Sequence, residues 1–328
     1  MRRNETSALA AAPAMLVALA VLLALVVGIA TGCGGGPADR VTLQLNWYHE
    51  AEFVGYYVAE VKGFYEAQGL DVTILEGGPP GDPARDTVLN GTATFAITSF
   101  AEQRDLVMAG QPTVAVMAAF QIPPLVIFTL VEDDISQPVD LVGKRVGTTT
   151  EYWKKVLRDT LTAAGVDPTT VTEVDVKPDQ MSLLYDGSVQ AWLGYAQDEP
   201  IRAEMDGHPV NNIFPADYGI GGYEGLLITL ESTIAQQSGL VKRFVQASYE
   251  GWRYGLEHQD EAAAILTTWA PDNGLEFQKL AVHAVAPLVD APQVPVGWID
   301  AARWQQLMGD DYATTRPGFT MQFSPVTP

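Results

Sequence analysis

The amino-acid sequence predicts an α/β protein of two unequal lobes, with a helical C-terminal part packed on the first lobe. Three observations carry that expectation. Val41 to Gly78 reads as strand, loop, helix, strand, a length suited to a right-handed parallel crossover. Apolar strands then alternate with helix-periodic segments as far as Val131, and the alternation restarts after the acidic, aperiodic Glu132 to Pro138. From Asp217 the chain returns with one more strand and then a run of helices. Residues 40–131 with 217–328 make the expected first lobe, and residues 132–216 the second. Two lobes joined by two crossings form a clamp, whose natural motion is hinge closure over a ligand.

The elements follow in order. Val41, Leu43 and Leu45 alternate with Thr42 and Gln44, which predicts a strand with one face buried. Phe53, Val54, Tyr57, Val58 and Val61 recur at helical spacing, Gly69 stops that helix, and Leu70 to Leu75 form the next strand. Pro83 to Asn90 is read as a helix, Thr94 to Thr98 as a short strand, and Ser99 opens a helix running to Met108. Thr113 to Phe120 is an unbroken apolar strand, as expected where both sheet faces are covered. Leu125 to Val131 is the last strand expected in the first lobe. In the second, strands at Leu141 to Val146, Val171 to Val176, Ala191 to Tyr195 and Asn211 to Phe214 alternate with helices at Tyr152 to Ala164, Gln180 to Tyr185 and Asp198 to Met205. Tyr223 to Leu230 returns as a strand. Helices follow at Leu240 to Glu257, Asp260 to Trp269, Leu275 to Val285 and Ile299 to Met308, and the polar tail from Gly309 is expected to be loose.

Ahead of all this, Met1-Arg2-Arg3 and the apolar run Ala8 to Ile29 read as a targeting leader. Small residues end it at Ala30-Thr31-Gly32-Cys33, which favours a cleaved leader over a retained anchor helix. That ending resembles a bacterial lipobox, and the resemblance implies that Cys33 is lipidated and heads the mature chain, with residues 34–39 as a tether. Cys33 is the sole cysteine of the chain, so an intrachain disulfide, a thiolate metal site and a cysteine nucleophile are all excluded. Residues 33–328 carry 17 basic and 39 acidic side chains, a formal charge of −22, which argues against nucleic-acid or anionic-lipid partners. A hydrophobic content of 47% is ample for the cores of two lobes.

Signatures of catalysis are missing. The chain has no G-x-S-x-G elbow, no G-x-x-x-x-G-K-[ST] phosphate loop and no G-x-G-x-x-G after its first strand. His49-Glu50 begins like a zinc-protease helix but lacks the second histidine. The four histidines, at 49, 208, 258 and 283, are scattered, so neither a metal site nor a cofactor is expected. What recurs instead is a set of aromatic, amide and acidic residues at strand ends. These are Asn46, Trp47 and Glu50 with Gly78; Thr98 and Ser99; Gln121; Glu151 and Tyr152; Tyr195 and Glu199; and Asp217 and Tyr218 with Tyr223. In open α/β sheets, ligands bind beyond the carboxyl ends of the strands. Aromatic faces sandwich a flat ring, while amides and carboxylates match ring nitrogens and exocyclic amines. No lysine or arginine cluster sits at these ends, so a neutral or weakly basic heterocycle is expected rather than a phosphate or sulfonate.

The stretches LNWYHEAEFVGYYVAEVKGFYEAQGLDVTILEGG, GTATFAIT, DLVGKRVG and DYGIGGYEGLLIT carry a resemblance over about residues 40 to 260. They resemble ABC-transporter substrate-binding lipoproteins of the thiamine-pyrimidine (ThiY-like, SsuA/THI-like) family, which includes riboflavin-binding RibY-like members. The resemblance implies a periplasmic-binding-protein type II clamp that captures a thiamine pyrimidine precursor, such as formylaminopyrimidine or hydroxymethylpyrimidine. Riboflavin is the alternative ligand. An ABC permease with its ATPase is the implied partner, and the extracytoplasmic face of the membrane the implied location. Pocket roles are implied for Asn46 and Trp47, for Thr148 to Tyr152 and for Asp217 to Gly219. The related pyrimidine synthases carry a cysteine-rich loop and a pyridoxal-bearing lysine near the first strand. This chain has neither, and no lysine lies between Arg40 and Val61. Two other classes remain as alternatives: an enzyme using paired carboxylates such as Asp198 and Glu199, and an anchored scaffold without a ligand.

Overall fold

The computed structural model describes residues 37–291 and 294–327, so the leader and Cys33 lie outside the described residues. Two five-stranded mixed sheets form the body, and both follow one plan. In the first sheet, β1 (Asp39–Gln44) is flanked in parallel by β2 (Leu70–Leu75) and β3 (Phe95–Thr98). Beyond β3 lies the late strand β10 (Glu224–Leu230), antiparallel to β3 and to β4 (Thr113–Phe120). In the second sheet, β6 (Arg145–Thr148) is flanked in parallel by β7 (Thr172–Asp175) and β8 (Ala191–Tyr195). There β5 (Leu125–Leu130) runs antiparallel between β8 and β9 (Val210–Ile213).

This pairing corrects the expected lobe boundary. β5, expected in the first lobe with residues 40–131, hydrogen-bonds within the second sheet, so the chain crosses at residues 121–124. Ile122-Pro123-Pro124 explains the crossing, because two consecutive prolines cannot continue the β4 ladder. The chain comes back through residues 214–223. The crossings touch: a Cβ on Gly221, at φ +109°, would lie 2.8 Å from the Pro123 ring.

Helices cover both sheets. α1 (Val54–Val61) buries Val54 and Gly55 to Ala59, a wider apolar face than its stripe predicts, because α9 (Ser238–Glu257) lies along it. The approach is backbone to backbone: a Cβ on Gly251 would collide with the Gly55 carbonyl oxygen. α10 (Gln259–Trp269) and α11 (Gly274–Val289) extend the same layer. In the first lobe α2 (Phe64–Ala67), α3 (Ala84–Leu89) and α4 (Phe100–Met108) complete the cover. In the second it is made by α5 (Glu151–Ala163), α6 (Ser182–Tyr185) and α7 (Glu199–Met205), and the short α8 (Glu231–Gln236) follows β10 in the first.

Two local expectations change. The strand expected at Leu141 to Val146 begins only at Arg145, since Pro138–Leu141 coils into a 3-10 turn and Gly143 takes φ +75°. The tail is not loose: Phe319 pairs with Ala115 at the β4 edge, and the Gly318 carbonyl accepts from buried Gln103 at 2.8 Å. α12 (Ala301–Met308) anchors this return through Trp304, whose indole N–H donates to the Pro317 carbonyl at 2.8 Å.

Candidate functional site

Because both sheets share one strand order, the carboxyl ends of β1, β3 and β4 and the start of β10 form one edge of the first sheet. The ends of β6 and β8 and the start of β5 form the matching edge of the second. Two recesses open between them. One is a narrow space of about 20 Å³ against Tyr152, Tyr195, Glu224, Leu125 and the crossing residues Pro123 and Gly221. The other, of about 180 Å³, lies against Trp47, His49, Glu50, Gln197, Asp198 and Arg202, with Phe277 and Asn273 of the C-terminal layer. The second has room for a small ring, while the first, as it stands, has room for about one water.

A row of carboxyls joins the recesses. After β1 the chain enters a 3-10 turn, Ala51–Phe53, in which Ala51 and Phe53 are buried; Glu50, just before it, lines the second recess, and Glu52 lies near enough to Glu224 and Tyr195 for their charges to interact. The Glu50 and Glu52 carboxyls are close enough to influence one another, and Glu52 feels the negative charge of Glu224 at the start of β10. Enclosure by protein, then neighbouring acids, push Glu50 well above the usual carboxylate range and Glu52 up to about 8. Glu224 also rises to about 8, from burial and then from the nearby Glu102. Solvent still reaches these half-buried side chains, so they line a cleft and are not sealed in a core. Glu102 ends the row, where it pairs with Arg85 and accepts from the Thr98 hydroxyl at 2.6 Å.

From the second lobe, the Gln197 side-chain amide donates to Glu50 Oε1 at 3.4 Å. Its own Oε1 has no partner, although the residue is only 2% exposed. Tyr195 stands edge-on to Trp153 at 5.7 Å between ring centroids. The Tyr152 ring is 46% exposed at the start of α5, and its hydroxyl is raised to about 12 by burial and by Glu224. Arg202 closes the far side: it pairs with Asp198 at 2.6 Å, donates to Asn273 at 3.1 Å and lies over the Phe277 ring at 4.5 Å.

The Trp47 wall is held by a neighbouring loop. The Trp47 carbonyl accepts from Gly77 N–H at 2.9 Å, Glu76 accepts from the His49 N–H at 3.0 Å, and the Tyr48 hydroxyl donates to the Pro79 carbonyl. His49 is caged, with Nδ1 2.9 Å from the Tyr57 hydroxyl and its ring edge-on to Trp269. Trp47 itself is 45% exposed and meets Tyr48 edge-on at 5.3 Å.

Of the residues singled out in the sequence, Trp47, Glu50, Tyr152 and Tyr195 line the two recesses. Asn46 sits at the root of the Trp47 wall with its buried Oδ1 unpartnered. Gly78 supports the Tyr48 ring, which a Cβ there would approach to 3.0 Å. The others line neither recess. Tyr223 is fully buried, stacked on Trp304, with its hydroxyl accepting from Asp300 N–H at 2.9 Å. Strand alternation turns it inward and its neighbour Glu224 to the gap. Gln121 is 1% exposed and donates to the Trp298 carbonyl at 2.8 Å. Thr98 is buried, and Ser99 caps α4 by accepting from Glu102 N–H at 3.1 Å. Glu151 points to solvent and pairs with Lys154 at 2.7 Å. Glu199 turns back under β8 to accept from Tyr195 N–H at 2.8 Å, so the Asp198–Glu199 pair is already engaged. Asp217 is exposed on a 3-10 turn, and Tyr218 packs on the second-lobe core. Sequence reading passes over Glu52 and Gln197, while it sets Glu224 with Tyr223 among the strand-end residues. The signal available for Glu52 is a lone acid between buried apolar neighbours, in AEF.

Comparison with known proteins bears on the family and the fold. The chain is 27% identical to the formylaminopyrimidine-binding protein of Halalkalibacterium halodurans, over 82% of this chain and 84% of that one. It is 26% identical to a 4-amino-5-hydroxymethyl-2-methylpyrimidine phosphate synthase of Legionella pneumophila, over 88% and 94%. With the riboflavin-binding protein RibY of Chloroflexus aurantiacus it shares 27%, over 81% and 78%. The fold is that of the periplasmic aliphatic sulphonate binding protein SsuA from Escherichia coli, with a TM-score of 0.66 at 15% identity over 84% of this chain and 92% of that chain. A family described as NMT1/THI5 like matches residues 50–262, and the chain belongs to that family.

Proposed function

We propose that this chain is the substrate-binding component of an ABC importer. It captures a small aromatic nitrogen heterocycle between its lobes, by hinge closure, and passes it to a permease. The observation that carries this reading is the convergence of Trp47, Tyr152, Tyr195 and a row of carboxyls on one gap between two sheets of matching plan. A thiamine pyrimidine precursor is the first choice of ligand, because a flat ring with an exocyclic amine suits stacking on one side and carboxyl acceptors on the other. Relatives are named both for binding and for synthesis, and the chain lacks the cysteine-rich loop and the early lysine of the pyrimidine synthases. The reading extends to a leader ending at Cys33, with a lipid on that cysteine holding the protein on the outer side of the cell membrane.

Riboflavin is the second reading, favoured by the two recesses that lie on either side of one carboxyl row and by the exposed faces of Trp47 and Tyr152. Titration calorimetry with formylaminopyrimidine, hydroxymethylpyrimidine and riboflavin decides between the two. Absence of heat with all three, at micromolar protein, overturns the heterocycle reading. In parallel, ligand should quench tryptophan fluorescence; a signal and affinity unchanged in Trp47→Phe would remove Trp47 from the site.

A further inference from the structure

The charge of the cleft goes further than its shape. Glu50 and Glu224 line the two recesses and Glu52 interacts with both, yet among the described residues no lysine or arginine pairs with any of them. The cations nearby are committed elsewhere, Arg202 to Asp198 and Asn273, and Arg85 to Glu102. A second observation is independent of the acids. Gln197 is 2% exposed, lines the same recess, and leaves its carbonyl Oε1 without a donor while its amide touches Glu50. Acceptors that outnumber donors in an enclosed gap call for a ligand rich in N–H or positive charge.

We propose that the cleft takes its ligand as an organic cation, a ring with positive charge on or beside a nitrogen, held by Glu50, Glu52 and Glu224 with Gln197 Oε1 as a further acceptor. This inference rests on the heterocycle reading and narrows it. Enclosed carboxyls without a counter-ion keep their protons, and a bound cation lets them ionise. A ring of fixed charge therefore displaces a proton on binding. A weakly basic ring instead accepts the proton already there, with no net release. The groups that face this row are Glu50 and Glu52 from the turn after β1, Tyr56 and Tyr57 of α1, Asp198 and Glu199 at the head of α7, Glu224 of β10, Glu102 of α4 with its partner Arg85, Tyr152 of α5, Tyr195 of β8, and Arg202. They are overwhelmingly acidic. A gap so lined disfavours anions.

The test is calorimetry on residues 34–328 with thiamine (fixed charge), hydroxymethylpyrimidine (weak base) and ethanesulfonate (anion), from pH 6 to 8.5 in buffers of differing ionisation heat. Whichever ring binds should lose about tenfold or more in affinity in both Glu52→Gln and Glu224→Gln, because charge-assisted contacts are lost while shape is kept. Thiamine, if it binds, should release protons and bind more tightly as pH rises; ethanesulfonate should give no heat. In the unaltered protein, thiamine binding without proton release, or any binding of ethanesulfonate, overturns the proposal without recourse to variants. A ring that binds with affinity unchanged in both variants overturns the cation inference and leaves the heterocycle reading standing. No heat with either ring overturns both.

Discussion

The two sheets have the same strand order and the same placement of one antiparallel strand, yet they bring different chemistry to the gap. The first lobe supplies the carboxyls without a cation partner, Glu50, Glu52 and Glu224, beside the Trp47 ring. The second supplies Tyr152, Tyr195 and Gln197, and its acid Asp198 is already paired with Arg202. Strand order therefore sets where a ligand can lie, and the residues just beyond the strand ends set what it can be. The lobes differ also in their cores. Helices α9 to α11 cover the first sheet, with Trp252 wedged against Gly55, Tyr56 and Phe120. The second sheet has a smaller core and ends in a half-exposed strand, β7.

The largest effect that would break this comparison lies in the first core. Trp252→Ala should cost about 3–5 kcal/mol in denaturant unfolding, since Gly55 and Gly251 leave no side chain able to move into the space. A loss below about 1 kcal/mol would mean that the C-terminal helices do not carry the first lobe.

The carboxyl row comes next. Glu52 and Glu224 are pushed from 4.5 up to about 8, by burial first. An acid whose folded pKa is raised stabilises the fold fully below its unfolded value and loses that contribution as pH rises through the folded one. Stability should thus fall between about pH 4.5 and about pH 8, by on the order of 3 kcal/mol for the pair after allowing for solvent screening. Thermal unfolding across that window checks it, and the slope should flatten in Glu52→Gln with Glu224→Gln. A stability that rises over the same range would show the row to be paired with cations.

Hinge and latch give smaller changes. At Gly221, φ +109° and a Pro123 ring that a Cβ would meet at 2.8 Å make Gly221→Ala strained, costing about 1–3 kcal/mol and altering ligand closure more than the fold of either lobe. Small-angle scattering with and without ligand reads that closure. Arg202→Ala removes the bond to Asn273 and the contact with Phe277, two links between the second lobe and the C-terminal layer. It should cost less than about 1 kcal/mol in stability, as partly exposed contacts do, while shifting the ligand-free protein to wider separation. An unchanged scattering profile would show that these links do not set the gap.

Much of the architecture is legible in the chain. β4 and β8 fall on the expected residues, and the helices from 238 onward lie within a few residues of expectation, because apolar period is a local property. Trp47, Glu50, Tyr152 and Tyr195 are legible too, since residues after strand ends gather at one sheet edge. β5 is not: its apolar run suits either sheet, and only hydrogen-bond partners distant in the chain assign it. Tyr223 and Glu224 stand side by side in the sequence, although strand alternation sends one to the core and the other to the gap.

Sequence alone determined the alternation of strands and helices, the restart after residue 132 and the return near 217, all expressed in spacings of a few residues. Tertiary structure decided the site's charge. Glu50 meets Gln197 across 147 positions, and the acids at 50, 52 and 224 become neighbours only when β10 is inserted between β3 and β4. Local periodicity carries no record of such meetings, because electrostatic coupling depends on distance through space and on enclosure by protein.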